Sequence, residues 1–436
     1  MIQTLRQVRS FPWTVRILLV NQLTINIGFY MLMPYLATYL AGTLGLATWL
    51  VGFILGVRNL SQQGMFLLGG SLADRLGYKP MILTGLTLRT LGFALLAVVD
   101  TVPTLIAASA LTGLAGAFFN PAIRAYLAHE AADRRVEAFA VFNVFYQAGI
   151  LLGPLIGLAL VTVDFRAACA IAAVVFAALA LAQLPFLPSR SGGNASSTTS
   201  LLADWRTVLG NRPFLLFSLA MIGSYVLNFQ VYLGLPIQVR QATGGELGVT
   251  AVFVLSGLLT VAGQLRVTAW AKARWTSGQA ITRGLTLMGL SFLPLAITAH
   301  LEPPDLTSSG PTVVLALLGA LAPVFLSTAL LTTATMLVYP FEMDTIVTLG
   351  GQRMVGTYYG LYNTLAGIGI AAGNLLTGAA IDTAHAIGLP ALPWTLLTLT
   401  GLGCALALHR LNRTGRMKSP TPTLPQTADP ATRTPP

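Results

Sequence analysis

An acid and a base lie side by side in a short charged turn, residues 69–80 (GGSLADRLGYKP), between two long apolar stretches. Asp74 can accept hydrogen bonds from the N-terminus of a neighbouring helix, where the helix dipole favours an anion. Gly70 permits close approach of another backbone, and Gly77 allows a positive φ in a tight turn. A hinge of this kind can lock one conformation of a protein through contacts that the other conformation lacks.

The basic residues of the same turn are Arg75 and Lys79. We expect both side chains to meet the headgroups of phospholipids. The turn also has a simpler interpretation, because any two membrane helices with a short connection need a polar stop between them. The residues alone leave both roles open, the conformational lock and the topological stop.

A second motif, GILLGPLIG at residues 149–157, repeats glycine at every fourth position. Gly149, Gly153 and Gly157 therefore line one face of a helix, where they permit tight crossing of a neighbour. Pro154 removes one backbone hydrogen bond and can bend the helix. Tight packing in any helical bundle would use the same stripe, so the spacing alone does not assign a function.

Long apolar segments must position these motifs, because 55% of the 436 residues are hydrophobic and only 9% are charged. Soluble domains carry about a quarter of charged residues, so a bilayer is the expected solvent. The apolar runs are continuous rather than alternating, which excludes a β-barrel and predicts an all-α membrane protein. Twelve transmembrane helices are predicted, at residues 15–41, 46–68, 80–100, 103–127, 136–162, 166–187, 213–239, 247–269, 280–300, 312–339, 354–381 and 392–411.

The twelve spans divide into four regions. We expect an N-terminal six-helix bundle at 1–187, a flexible cytoplasmic linker at 188–212, a C-terminal six-helix bundle at 213–411 and a disordered cytoplasmic tail at 412–436. The tetrapeptide GLTL recurs near the start of the third span of each half, which favours two related bundles.

The net charge of +11 follows the topology of the spans. With both termini in the cytoplasm, all but four of the 25 Lys and Arg residues lie on the cytoplasmic side, as loops rich in these residues do. This distribution excludes a nucleic-acid surface and predicts a multi-pass protein of the plasma (inner) membrane. The four exceptions are Arg58, Arg89, Arg166 and Arg240.

The pattern Gly70-x-x-x-Asp74-Arg75-x-Gly77-x-Lys79 resembles the loop signature of the major facilitator superfamily. Two bundles of six spans extend the resemblance over nearly the whole chain. The resemblance implies that the loop holds the outward-open state, with Asp74 docked on the start of the eleventh span at Met354–Tyr358. It also suggests Arg124, at the end of span four, as a second partner of the acid.

The motif at Gly149, Gly153, Pro154 and Gly157 resembles the antiporter motif of the drug:proton antiporter branch of that family. The resemblance implies a multidrug exporter rather than an importer. The chain departs from that branch in two respects, because we expect all fourteen of its acids in loops, at membrane faces or in the tail, and because span four has Ser109 where a basic residue is often found. A buried carboxylate is what usually carries the proton. The coupling ion therefore stays open, with a proton gradient as one energy source.

Two basic residues, Arg58 and Arg89, fall inside predicted spans. Because a charge is costly in lipid, both should face protein or a water-filled cavity. They could attract an anionic substrate or counter-ion there. Alternatively, each side chain caps backbone carbonyls or extends towards the cytoplasmic face.

The candidates for a substrate cavity are polar, aromatic or basic residues within the spans. Aromatic walls with few polar groups suit amphipathic organic molecules, although most such residues in a membrane bundle only join helices by hydrogen bonds. The candidates are Asn21, Asn26, Tyr30, Arg58, Phe119, Asn143, Tyr146, Gln147, Tyr225, Asn228, Tyr358, Tyr362 and Asn363.

The sequence as a whole predicts a secondary active transporter that exports drug-like or secondary-metabolite small molecules by alternating access. An importer or facilitator of a nutrient or siderophore is the first alternative, and a non-transporting membrane receptor or enzyme is the second. The chain shows no nucleotide loop, metal cluster or catalytic grouping, so we expect no enzyme activity, no metal and no cofactor. The expected partners are a small-molecule substrate and the lipid bilayer, with no nucleic acid, and we expect a monomer.

Overall fold

The computed structural model describes residues 2–161, 164–189, 200–243, 247–301, 311–351 and 354–415, and every regular element in these ranges is a helix. Residues 190–199 of the predicted linker and 416–436 of the predicted tail lie outside the described residues. The all-helical prediction is confirmed for the part of the chain that is described.

The first half of the chain builds six rods, two of them interrupted. A short helix precedes them, and a π-helical turn at Tyr39–Thr43 extends the first rod. The helices are α1 (Ile2–Arg9), α2 (Trp13–Tyr30), α3 (Met33–Thr38), α4 (Thr48–Gln63), α5 (Phe66–Leu76), α6 (Tyr78–Val98), α7 (Val102–Ala131), α8 (Arg135–Val161) and α9 (Phe165–Phe186).

The second half repeats this plan, with its first and third rods interrupted. The helices are α10 (Leu201–Gly210), α11 (Arg212–Asn228), α12 (Gly234–Thr243), α13 (Leu247–Lys272), α14 (Ser277–Leu290), α15 (Leu293–Thr298), α16 (Pro311–Gly350), α17 (Val355–Ile387) and α18 (Leu392–Arg413). Helix α10 lies within the predicted linker, so that segment is not flexible throughout. The Ser200 side chain caps α10 by accepting a hydrogen bond from the Ala203 amide at 3.2 Å.

Nine stretches of the described residues are helical, long and apolar enough to cross a membrane. One of these stretches, Val102–Gly157, contains both α7 and α8, which a 3-10 turn joins at Ala132–Arg134. The interrupted rods α2–α3 and α4–α5 complete the twelve. Most helix ends agree with the predicted spans within a few residues, but α16 continues to Gly350, beyond the predicted end at 339.

The two halves meet through α5 with α17 and through α8 with α13 and α16. Each pairing reaches one end of the molecule, where Asp74 meets Gly356, Arg135 meets Asp344 and Glu137 meets Lys272. We call it the basic end because Arg75, Arg134, Lys272 and Arg274 lie there. Within the halves, α6 packs on α7 and α9, and α14 packs on α16 and α18.

The glycine stripe of α8 is the surface on which α2 packs. A Cβ atom added to Gly149 or Gly153 would lie 2.5 Å from the Asn26 Cβ or 2.7 Å from the Tyr30 Cβ. At Gly157 the same atom would lie 1.9 Å from the carbonyl oxygen of Met31, which is backbone and cannot rotate away. The stripe thus lets two helix backbones approach closely, as small residues do in membrane bundles.

Replacing Gly157 with alanine is therefore expected to destabilise the protein by about 1–3 kcal/mol, the usual effect of overpacking. Thermal unfolding of the purified protein in detergent measures this effect. The matched control is Gly378→Ala in α17, where an added Cβ would meet nothing within 4 Å. Equal melting temperatures for the two variants would contradict the assigned packing.

Candidate functional site

Asp74 lies near the end of α5 and is hydrogen-bonded to the first turn of α17. Its Oδ1 accepts from the Gly356 amide at 2.8 Å, and its Oδ2 accepts from the Thr357 amide and hydroxyl, each at 2.7 Å. The side chain is only 3% exposed. Amides in the first turn of a helix have no partner within it, so a carboxylate is the complementary group. We call this contact the Asp74 latch.

The backbone around the latch is unusually close-packed. A Cβ atom added to Gly70 would lie 2.0 Å from the carbonyl oxygen of Gly356, and one added to Gly360 would lie 2.5 Å from that of Phe66. Met354, which immediately precedes α17, has a φ of 56°, a left-handed conformation that is strained for a side chain of this type. This backbone conformation turns the chain so that the free amides of α17 face α5. Strained conformations of this kind are typical of functional sites.

The two basic residues of the turn contact neighbouring segments of the protein. The Arg75 guanidinium pairs with the Asp204 carboxylate of α10, with Nε donating at 3.0 Å. The Lys79 ammonium donates to the carbonyl oxygen of Leu184 at 2.6 Å. Both side chains therefore hold neighbouring segments, and the contact of Arg75 depends on α10, a helix that the sequence does not predict in the linker. The positive φ expected at Gly77 is present, at 97°.

Burial raises the pKa of the Asp74 carboxyl from 3.8 to about 6, and the hydrogen bonds from Thr357 and Gly356 oppose this shift. The neighbouring Asp204 carboxylate also raises the pKa. When the latch opens, water restores the ordinary value, so the docked state binds the proton more strongly than the open state does. Acidification through pH 6 consequently favours the docked state, and the advantage is lost as the pH rises through 6.

Hydrogen–deuterium exchange of the first turn of α17 measures this pH dependence. After correction for intrinsic exchange, the Gly356 and Thr357 amides are expected to be more protected at about pH 5 than at about pH 7.5. Asp74→Asn should remove the difference between the two pH values. An unchanged pH dependence in that variant would show that another group titrates.

Further polar contacts join the halves at the basic end. The Arg135 guanidinium of α8 pairs with Asp344 of α16 at 2.7 Å. The Lys272 ammonium of α13 pairs with Glu137 of α8 at 2.9 Å. These two ion pairs and the Asp74 latch keep the basic end closed in this conformation.

Arg124 does not contact Asp74, contrary to the expected second partnership. Its guanidinium crosses from α7 to α17 and donates to Asn363 Oδ1 at 2.8 Å. It is also an electrostatic neighbour of Glu342 and Tyr225. Arg124 therefore belongs to a separate polar cluster between the halves, farther from the turn than Asp74 is.

Glu342 overturns the expectation that every acid of this chain is shallow. It is 4% exposed within α16, and the Tyr362 hydroxyl donates a hydrogen bond to its Oε1. Eight residues of α16 follow it, which places it about 12 Å from the end of the helix at 1.5 Å per residue. The predicted span ends at 339, so Glu342 and Asp344 lie beyond it in the prediction.

The candidate cavity residues divide into two groups. Some of them cluster with one another between the halves, and the others pack or join helices. Tyr225 and Tyr362 have ring centroids 5.7 Å apart beside Glu342, and Tyr30 and Tyr146 are electrostatic neighbours of Tyr232. The candidates that pack or pair helices are Asn26, Phe119, Asn143, Asn228 and Tyr358. Asn21 is fully buried, and its amide has no hydrogen-bond partner among the described residues. Arg58 and Gln147 are half-buried, and Asn363 is buried beside Arg124.

Several of these pairing residues have defined partners. The Asn26 amide donates to the carbonyl oxygen of Tyr146 at 2.9 Å, joining α2 and α8. Asn143 donates to Gln264 at 2.7 Å, joining α8 and α13 across the halves. Tyr358 accepts from Asn211 at 3.0 Å near the basic end.

Sequence reasoning missed three residues of these clusters, Gln264, Tyr232 and Glu342. Gln264 is fully buried and is the single carboxamide of α13. An isolated polar side chain in an apolar span is a signal for an interhelical hydrogen bond and could have identified it. Tyr232 lies in the break between α11 and α12, which hydropathy does not reveal.

Comparison with known proteins agrees with this architecture. The profile of the Major Facilitator Superfamily matches residues 18–374. An uncharacterized MFS-type transporter of Mycobacterium tuberculosis is 47% identical to this protein over 94% of this chain and 98% of its own length. The multidrug resistance protein MdtH of Photorhabdus laumondii is 31% identical over 90% of this chain and 93% of its own length. The crystal structure of the human organic anion transporter MFSD10 superposes with a TM-score of 0.68 at 18% identity, over 91% of this chain and 99% of that one. The chain belongs to the Major Facilitator Superfamily, and it is a membrane transporter rather than an enzyme.

Proposed function

We propose that this transporter exports drug-like or secondary-metabolite small molecules by alternating access. The observation that carries the proposal is the Asp74 latch, three hydrogen bonds between the halves that can exist only while the basic end is closed. Relatives named multidrug resistance protein MdtH, at about 30% identity, support drug-like molecules as the cargo. The glycine stripe at 149–157, shared in pattern with drug:proton antiporters, favours export.

In this proposal the basic end faces the cytoplasm, and both termini lie on that side of the inner membrane. Residues 1–187 and 213–411 move as the two bundles, and the protein works as a monomer. Breaking the Asp74 latch and the ion pairs Arg135–Asp344 and Lys272–Glu137 would open a path to the cytoplasm. Because each contact joins opposite halves, a small rotation of one bundle would break all three together.

In the form of the proposal that we favour, export is driven by exchange of the substrate for protons, and Glu342 carries the proton. Its carboxylate is buried between the halves near Arg124, and Tyr362 donates to it. A proton carrier needs a group whose environment changes between the two conformations. Opening of the basic end would bring water to Glu342 and separate it from Arg124, so its affinity for a proton would change.

An efflux assay tests the export. A bacterium that lacks its own drug pumps would express the protein, and its susceptibility to a panel of compounds would be measured with and without a protonophore. We expect raised resistance to some compounds and loss of that resistance with the protonophore. Unchanged susceptibility to every compound, despite normal amounts of protein in the membrane, would contradict export.

The alternative function is import or facilitated diffusion. Vesicles of known orientation separate the two directions, because an exporter accumulates its compound only in inside-out vesicles energised with a proton gradient. Uptake into right-side-out vesicles alone would favour the importer.

A further inference from the structure

Two arginine side chains inside the first half have no acidic partner, and the proposed transport cycle does not use them. Arg58 lies on α4 and Arg89 on α6. Arg89 is 5% exposed and its Nε has no hydrogen-bond partner, whereas Arg58 is half-buried. Within the described ranges, neither guanidinium forms a salt bridge.

Both guanidinium groups face the same aromatic ring. The Cζ atoms of Arg58 and Arg89 lie 5.2 Å and 5.0 Å from the centroid of Phe29, and that of Arg89 also lies 5.7 Å from the centroid of Phe176. Cation–π contacts offset only part of the free energy of removing a charge from water. The two positive charges also repel each other, so the arrangement is electrostatically incomplete.

Neither side chain is placed to reach the membrane surface. Arg58 is about 15 Å along α4 from its first residue, and Arg89 is about 14 Å along α6 from its nearer end at Val98, at 1.5 Å per residue. An arginine side chain extends by only about half of these distances. Escape to a headgroup region therefore does not explain the two residues, although it explains many arginines near helix ends.

The surroundings are aromatic and lie next to the junction of the halves. Arg58 is an electrostatic neighbour of Tyr30, and Arg89 is a neighbour of both Tyr30 and Tyr146. Tyr30 in turn neighbours Tyr232 of the second half. An organic molecule between the halves would thus meet aromatic walls at one side and two guanidinium groups beside them.

We propose that Arg58 and Arg89 bind the anionic group of an aromatic organic substrate. Guanidinium groups bind planar or tetrahedral oxyanions such as carboxylates and sulfonates through paired charge-assisted hydrogen bonds. The anion neutralises the two unpaired charges, and Phe29, Tyr30 and Tyr146 contact the aromatic body of the ligand. The proposal rests on the proposed function only for the claim that the bound anion is also transported.

Binding to the purified protein in neutral detergent tests the site without transport. The probe is 2-naphthalenesulfonate, and its matched neutral control is 2-naphthalenesulfonamide. We expect the sulfonate to bind at least about tenfold more tightly, because only the anion makes charge-assisted hydrogen bonds. Equal affinities, or no binding of the sulfonate at millimolar concentration, would overturn the proposal.

Variants locate the site. Arg58→Gln and Arg89→Gln should each raise the Kd of the sulfonate about tenfold or more and leave that of the sulfonamide unchanged. Arg58→Lys should retain only part of the affinity, because lysine keeps the charge but cannot make the paired hydrogen bonds. The control Arg274→Gln, on the surface at the basic end, should change neither Kd. If Arg89→Gln does not fold, the two Arg58 variants alone test whether the anion binds at this site. Sulfonate affinity that is independent of Arg58 would overturn the proposal.

The two proposals can fail separately. Arginine-dependent anion binding without efflux of any compound would refute export and leave the anion site standing. Efflux that Arg58→Gln leaves unchanged for anionic and neutral compounds alike would refute the anion site and leave export standing.

Discussion

Asp74→Asn is expected to reduce transport at least about tenfold with little loss of protein from the membrane. Asparagine has one acceptor oxygen in place of two, and its NH2 group would oppose one of the donors of Gly356 and Thr357. A buried donor that is left without an acceptor costs about 1–3 kcal/mol, and about 1.4 kcal/mol corresponds to a factor of ten in the equilibrium between conformations. Losing part of this contact should therefore depopulate the state that is closed at the basic end.

Initial rates of efflux, normalised to the amount of protein, measure the effect. The matched control is Asp382→Asn on α17, where the side chain is exposed. It should transport at the wild-type rate. A wild-type transport rate in Asp74→Asn would contradict the conformational role and show that the charged turn is only a polar stop between two helices.

The second large effect is expected at Glu342. Glu342→Gln keeps the shape of the side chain and its hydrogen bond with Tyr362 but cannot release a proton. Accumulation of compound driven by a proton gradient should fall to the background, because proton movement and substrate movement would no longer be linked. Exchange of labelled for unlabelled compound, which needs no net proton movement, should persist.

Proteoliposomes with an imposed pH gradient distinguish these two activities. Tyr362→Phe serves as an intermediate variant, because it removes one hydrogen bond to the carboxylate but leaves the group able to titrate. We expect it to shift the pH dependence of transport rather than abolish coupling. Gradient-driven accumulation at the wild-type level in Glu342→Gln would exclude this residue as the carrier.

The contrast between Asp74 and Glu342 shows what the sequence could predict. Asp74 lies in a motif of fixed spacing, so the resemblance implied a partner at the start of the eleventh span, and the carboxylate lies against Gly356 and Thr357. Glu342 lies in no motif. It follows an apolar run whose predicted end at 339 leaves this acid outside the span, and only the continuation of α16 to Gly350 places it within a helix.

Pairings between distant segments could not be predicted for a similar reason. Arg124 and Asn363 are 239 positions apart, and nothing in either span identifies the other. Arg75 pairs with Asp204 because α10 folds within a segment whose polar composition predicted flexibility. Hydropathy fixes which segments are helices in lipid, but the choice among polar partners depends on the packing of the halves.

The most direct test of the Asp74 latch is the distance between spin labels on the two halves at the basic end. Leu76 on α5 and Thr348 on α16 are exposed sites for the labels, after replacement of Cys169 and Cys404. Double electron–electron resonance should give one short distance in the wild type and a longer, newly populated distance in Asp74→Asn. If the two distance distributions are the same, the latch does not hold the halves together, and the proposed cycle is contradicted.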